Sequence, residues 1–100
     1  MEKIITTELV PTDSHKSFHG KARVISKGNI HVLQSYETVV CMINSTGNVV
    51  RLWGGYSATT MRHINAFLET FGKNGGGKAW WINQPVKNFN WTSFYFGRSA

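Results

Sequence analysis

The chain holds 100 residues, 41% hydrophobic and 13% aromatic, with a formal net charge of +6. A composition this apolar excludes a disordered segment, and the length suits one core rather than two. The lone cysteine, Cys41, excludes an internal disulfide, and no apolar run reaches the roughly 18 residues of a membrane-spanning helix.

Residues 1–27 read as a polar, irregular amino-terminal arm. Within it Ile4-Ile5 and Leu9-Val10 can form a short strand before Pro11, Thr12-Asp13-Ser14 marks a turn, and Lys21–Ser26 can form a second strand. The arm lacks the apolar region of a secretory signal, so a cytoplasmic location is expected. Gly28-Asn29 reads as a tight turn into Ile30–Tyr36, which alternates for part of its length. Thr38–Ile43 is a β-branched run, and Cys41 inside it reads as a small buried hydrophobe without the exposure a nucleophile needs. Asn44–Asn48 is a turn in which Gly47 can supply positive φ, and Val49–Trp53 resumes the strand pattern. Three strands joined by two short turns make an antiparallel meander.

Gly54-Gly55-Tyr56-Ser57 breaks that pattern, and Ser57 suits the N-cap of a helix over about Ala58–Phe71. At 100° per residue Met61, Ile64, Phe67, Leu68 and Phe71 share an arc of about 120°. Arg62, Ala66 and Glu69 fall on the opposite side, and His63 falls at the edge of the apolar stripe. Gly72 takes the C′ position, beside a lysine (Lys73) that complements the helix dipole. Lys73–Lys78 reads as a flexible glycine-rich connector, and Ala79–Ile82 resembles a short strand ended by Pro85. Residues 87–100 are an aromatic and basic tail, either a final strand or a segment that packs against a partner. The expectation is a single α+β domain over residues 1–100, a small antiparallel sheet of about four to five strands packed against one α-helix.

Charge is unevenly placed: residues 39–100 carry six bases against Glu69 alone. Such asymmetry suggests an anionic partner, whether nucleic acid, a nucleotide or an acidic protein face, with plain solubility as the alternative. The candidate partner- or phosphate-binding residues are Arg62, Lys73, Lys78, Lys87 and Arg98, joined by Trp91, Tyr95 and Phe96. Aromatics interleaved with bases suit stacking on unpaired bases while cations meet phosphate. They suit protein-interface anchors equally well, and they can also close a core.

Other motifs carry less. Gly72–Ala79 nearly spells a phosphate-binding loop, but the expected order is helix before and strand after, and Ala79 replaces the hydroxyl that holds magnesium. His15 and His19 are four apart, yet no paired cysteines or clustered carboxylates complete a shell, so no metal or cofactor is expected. With five acids and no Gly-x-Ser-x-Gly elbow, enzymatic activity is not expected. A metal-independent ribonuclease built from His63, Arg62 and a lysine is a distant alternative.

The stretch Arg51–Leu68, continued by Gly77–Trp81, resembles a group of short uncharacterised proteins encoded by phages and mobile elements of Gram-positive bacteria. The resemblance covers about residues 30–86, and Ser57-Ala58-Thr59-Thr60-Met61-Arg62-His63-Ile64 is its most specific part. It implies a setting rather than an activity: an anti-defence, anti-CRISPR-like inhibitor in the cytoplasm of a bacterial host, docking on an immune nuclease or its guide complex. At +6 such a factor is no acidic DNA mimic. The alternative is a basic module that binds nucleic acid or a nucleotide.

Overall fold

A computed structural model describes residues 3–9, 20–73 and 77–96. In chain order the elements are β1 (Ile4–Glu8), β2 (Ala22–Lys27), β3 (Ile30–Ser35), β4 (Thr38–Ile43), β5 (Val49–Arg51), α1 (Ala58–Thr70), α2 (Gly77–Ile82) and α3 (Trp91–Phe96). The strands form one antiparallel sheet in sequential order, each pairing with its neighbour in the chain. The α+β architecture is therefore as expected. Although residues 1–27 as a whole read as irregular, the two strands that Ile4-Ile5 and Lys21–Ser26 could form are present as β1 and β2, paired along the whole of β1.

Alternation gives the sheet two apolar faces. Ala22, Val24, Leu33, Cys41 and Ile43 point to one face, where they pack with α1, while Ile25 and Val32 point to the other. The register of β3 against β4 slips between Leu33 and Gln34, leaving Val40 as an extra residue. Val40 joins Cys41 on the α1 face, as a β-bulge allows. The Val40 carbonyl then accepts from the N–H groups of both Leu52 (2.9 Å) and Trp53 (3.1 Å), which steers the chain out of the sheet soon after β5.

In α1 the N-cap is Ser57, whose Oγ accepts from the Thr60 N–H at 3.0 Å. The helix stops at Gly72, whose φ of 68° lets the Gly72 and Lys73 N–H groups turn back to the carbonyls of Glu69 and Leu68. Met61, Ile64, Phe67 and Leu68 are buried as the periodicity requires. Ala66, expected on the outer side, is buried as well, because α1 packs against α2 in addition to β3.

Two further segments depart from expectation. Ala79–Ile82 is not a strand but the body of α2. One side chain of these four, Trp81, is fully buried, and its indole N–H donates to the Gly55 carbonyl at 2.8 Å, so tertiary contacts override the β preference of a Trp pair. The tail likewise contains a helix, α3, rather than a final strand, with the Asn90 side chain accepting from the Ser93 N–H at its start. Phe89, Trp91 and Phe94 cover Ile25 and Val32 on the face opposite α1, so the sheet is covered on both sides. Lys27 is buried beneath α3 and its ammonium donates to the carbonyls of Phe94 (2.8 Å) and Tyr95 (3.0 Å), a cation at the carbonyl end of the helix. Among the described residues no helix is long and apolar enough to cross a membrane.

Candidate functional site

The concave site lies at the end of the sheet where β3 turns into β4 and α1 begins. Both neighbouring hairpins, β2–β3 and β3–β4, have two-residue loops. The first places Gly28 at φ 57°, and the second places Tyr36 at φ 55° in the equivalent position. Glycine enters that region freely, whereas a tyrosine there is a strained outlier costing about 1–3 kcal/mol, a pattern that gathers at ligand sites. The strain is held by the Tyr36 N–H, which donates to the Lys21 carbonyl at 2.6 Å. Glycine would serve the turn alone; the tyrosine adds a side chain that is 48% exposed at the surface.

Tyr36 forms one wall of a cavity of about 290 Å³, near the lower bound of the ~300–1,000 Å³ range of small-molecule sites. Trp53 and Tyr56 also line it, and Ser35, Ser57 and Thr60 add hydroxyls. The Trp53 ring lies so close over Gly55 that a Cβ there would collide with it, so the glycine seats the indole. Next to these residues Arg51, 7% exposed, donates to the carbonyls of Trp53, Gly55, Trp81 and Gln84. Its charge is thus committed inside the molecule, although it is one of the six bases counted over residues 39–100.

Cations flank both tyrosines. The Lys21 ammonium lies 5.7 Å from the Tyr36 ring centroid, and the Lys78 ammonium lies 5.0 Å from that of Tyr56. Both distances are within cation–π range. Next to the cavity, and sharing Tyr36 and Thr38 with it, is an open shelf lined by Lys21, Arg23 and Glu37. Beneath the floor, Ser35 Oγ and His63 Nδ1 are 2.7 Å apart, and the His63 ring is 2% exposed. Burial, aided by the neighbouring Arg62 charge, holds the His63 pKa below its ordinary value of 6.5. The imidazole is therefore neutral and turned inward while Arg62 is exposed, so the pair does not converge on a substrate position.

Of the residues singled out in the sequence, Lys78 alone is at this cleft. Lys73 lies at the other end of the sheet, its ammonium against Gly47. Lys87 is exposed just beyond the contact of Val86 with Arg51. Trp91 is half-buried over the second face, Tyr95 stacks on it with ring centroids 5.4 Å apart, and Phe96 is 84% exposed. Arg98, His15, His19 and most of the glycine-rich loop lie outside the described residues. The segment after that loop is a helix, which removes one argument against a phosphate-binding loop. Two others stand: α1 rather than a strand precedes it, and Ala79 has no hydroxyl. Among the described residues no His, Cys, Asp or Glu side chains cluster as metal ligands would. Cys41 is fully buried, which pushes its thiol pKa up and keeps it inert.

Comparison with known proteins places this geometry in a group. The chain belongs to the Family of unknown function (DUF8033), matched over residues 7–83. No curated protein and no solved structure matches the chain. The matched span contains every cleft residue named above, from Lys21 to Lys78, and ends before α3.

Proposed function

We propose that the protein is a small non-enzymatic binding module that takes an unpaired nucleotide, most simply one within a single-stranded nucleic acid, into the cleft beside the start of α1. The observation carrying this reading is Tyr36, held at φ 55° in a cavity that Trp53 and Tyr56 also line, with Lys21 and Lys78 over the two tyrosine rings. Aromatic walls accept the flat face of a base, and flanking cations accept the phosphates on either side. In the phage-like setting that the Ser57–Ile64 stretch implies, such a module would act against host defence by occupying the nucleic acid of an immune nuclease complex.

The test is a titration of a labelled oligothymidine with the parent protein and with a Lys21→Ala/Lys78→Ala variant, read by anisotropy across a salt series. Parent affinity should fall linearly in a log–log plot. The variant should bind more weakly, with a slope flatter by about 1.4, at ~0.7 per lost single-strand contact. Absence of salt-sensitive binding, or a variant indistinguishable from the parent, would refute the reading.

A second reading, docking on an acidic protein surface, is favoured by Phe96 and by Tyr95 stacked on Trp91, since exposed aromatics make anchors. Deleting the tail cannot examine it, because α3 covers Ile25 and Val32. Phe96→Ala leaves that cover in place, and under this reading it abolishes salt-insensitive capture of the nuclease complex while leaving oligonucleotide affinity unchanged.

A further inference from the structure

β1 forms one margin of the sheet, and all five of its residues are exposed, Ile5 to 55%. The other margin is shielded: Arg51 of β5 bridges Val86 in parallel and its carbonyl accepts from the Lys87 N–H at 2.8 Å. Among the described residues β1 pairs on one side only, with β2. The backbone orientation of β1 follows from one bond. Leu9 N–H donates to the Ala22 carbonyl at 2.9 Å, in register with the β1–β2 ladder. Along an antiparallel strand the hydrogen-bonding direction alternates, so Ile5 and Thr7 address β2 as Leu9 does. Ile4, Thr6 and Glu8 then hold their N–H and C=O groups toward the open margin.

We propose that a second copy of this chain occupies that margin, β1 pairing antiparallel with β1 about a two-fold axis through Thr6. Joining two sheets without exchanging their faces requires opposed residues of like parity, and three registers near the strand centre satisfy this. Setting Thr6 opposite Thr6 also sets Ile4 opposite Glu8, so every outward N–H and C=O of all three residues is paired. Shifting the axis to Ile5 or Thr7 leaves Glu8 or Ile4 unpaired. In the Thr6 register Ile5 meets Thr7 of the other copy and lies diagonal to its Ile5, roughly 7–8 Å away, which covers an exposed apolar side chain. Lys3 and Glu8 cancel, so the seam carries no net charge on a chain that carries +6.

The composition of β1 supports a copy as the occupant. Edge strands are normally protected by proline, bulges or several charges, and Ile4-Ile5-Thr6-Thr7 has none of these. The strand is its own complement, as an isologous contact requires. Two five-stranded sheets become one continuous sheet. Both α1 helices lie on the same face, and the two Tyr36 clefts lie at opposite ends. This inference does not rest on what the clefts bind.

The test is the solution mass of the full chain by sedimentation equilibrium, from micromolar to sub-millimolar concentration. The parent should reach twice the 11.3 kDa chain mass. Thr6→Pro removes one outward N–H and spares the β1–β2 bonds, the position in which an edge strand tolerates proline. Ile5→Lys places like charges across the seam and removes no backbone donor, so it carries the test if the proline variant does not fold. Each folded variant should be a monomer with the parent's circular dichroism. A parent that stays monomeric throughout, including one whose β1 captures an extended peptide instead, overturns the proposal. So does a dimer that persists in folded Ile5→Lys.

Discussion

Replacing Arg51 with methionine is expected to cost about 4 kcal/mol of stability. The guanidinium donates to the carbonyls of Trp53 (2.9 Å), Trp81 (3.1 Å), Gly55 (3.3 Å) and Gln84 (3.3 Å). Methionine approximates the side-chain volume and supplies none of these donors. A buried carbonyl left without a partner costs ~1–3 kcal/mol. The Trp81 carbonyl keeps the Gln84 N–H and the Gly55 carbonyl keeps the Trp81 indole N–H, and three of the four bonds are partly open to water, so the four lost bonds together contribute about 3 kcal/mol. The guanidinium also stacks over the Trp81 ring at 4.7 Å, which adds ~1 kcal/mol. For a domain of this length each kcal/mol is worth about 4–8 °C, so the melting temperature should fall by roughly 15–30 °C. Urea unfolding followed by far-ultraviolet circular dichroism measures the free energy directly, and an unchanged m-value would show that the denatured state is not responsible. A loss below about 1 kcal/mol would refute the reasoning, because hydration of the guanidinium in the unfolded chain would then cancel everything its bonds contribute.

Two other outcomes concern two histidines and Gly55. Burial lowers the pKa of His31, a β3 residue whose ring stacks on Phe71, and burial together with Arg62 lowers that of His63, both from 6.5. Below 6.5 the unfolded chain therefore binds more protons than the folded one, so this contribution to stability is full above 6.5 and declines as pH falls toward the folded-state values. Melting curves from neutral to mildly acidic pH should show that decline, and His63→Gln should make it shallower; an identical decline would remove His63 from the account. Gly55→Ala should push the Trp53 ring off its seat, weakening oligonucleotide binding and altering tryptophan emission while leaving α1 folded. Unchanged binding would mean that Trp53 is not a wall of the working site.

Sequence revealed those elements whose pattern repeats often enough to be read. Thirteen residues of α1 carry more than three turns of apolar spacing, with Ser57 and Gly72 as end markers. The pair β3 and β4 lies between Gly28-Asn29 and Asn44–Asn48, turns that glycine and asparagine announce. By contrast α2 spans six residues, too few to express a period, and its conformation is selected by Arg51 and Gly55 from elsewhere in the chain. The cleft was hidden for a related reason. Tyr36-Glu37 separates two β runs just as Gly28-Asn29 does, and that parallel is legible, but a tyrosine at a glycine position does not look like a turn. Lys21 is drawn to Tyr36 by a backbone bond between residues fifteen apart in sequence, beyond any local pattern. Charge counting, meanwhile, included Arg51 in the basic excess of residues 39–100, because composition cannot separate a solvated cation from one that organises backbone carbonyls.

The hold of Lys27 on α3 bears on the order in which the molecule assembles and loosens. The meander from β2 to β5 forms from hairpins between consecutive strands, which need only short loop closures and favour rapid folding. Lys27 and Phe94 meet across 67 positions, so that contact waits until the whole chain is in place. A six-residue helix does not persist alone in water, and α3 therefore stands or falls with its docking. Its amides should exchange with solvent through partial openings that leave the α1 side closed, giving the domain one fast-exchanging side and one slow side.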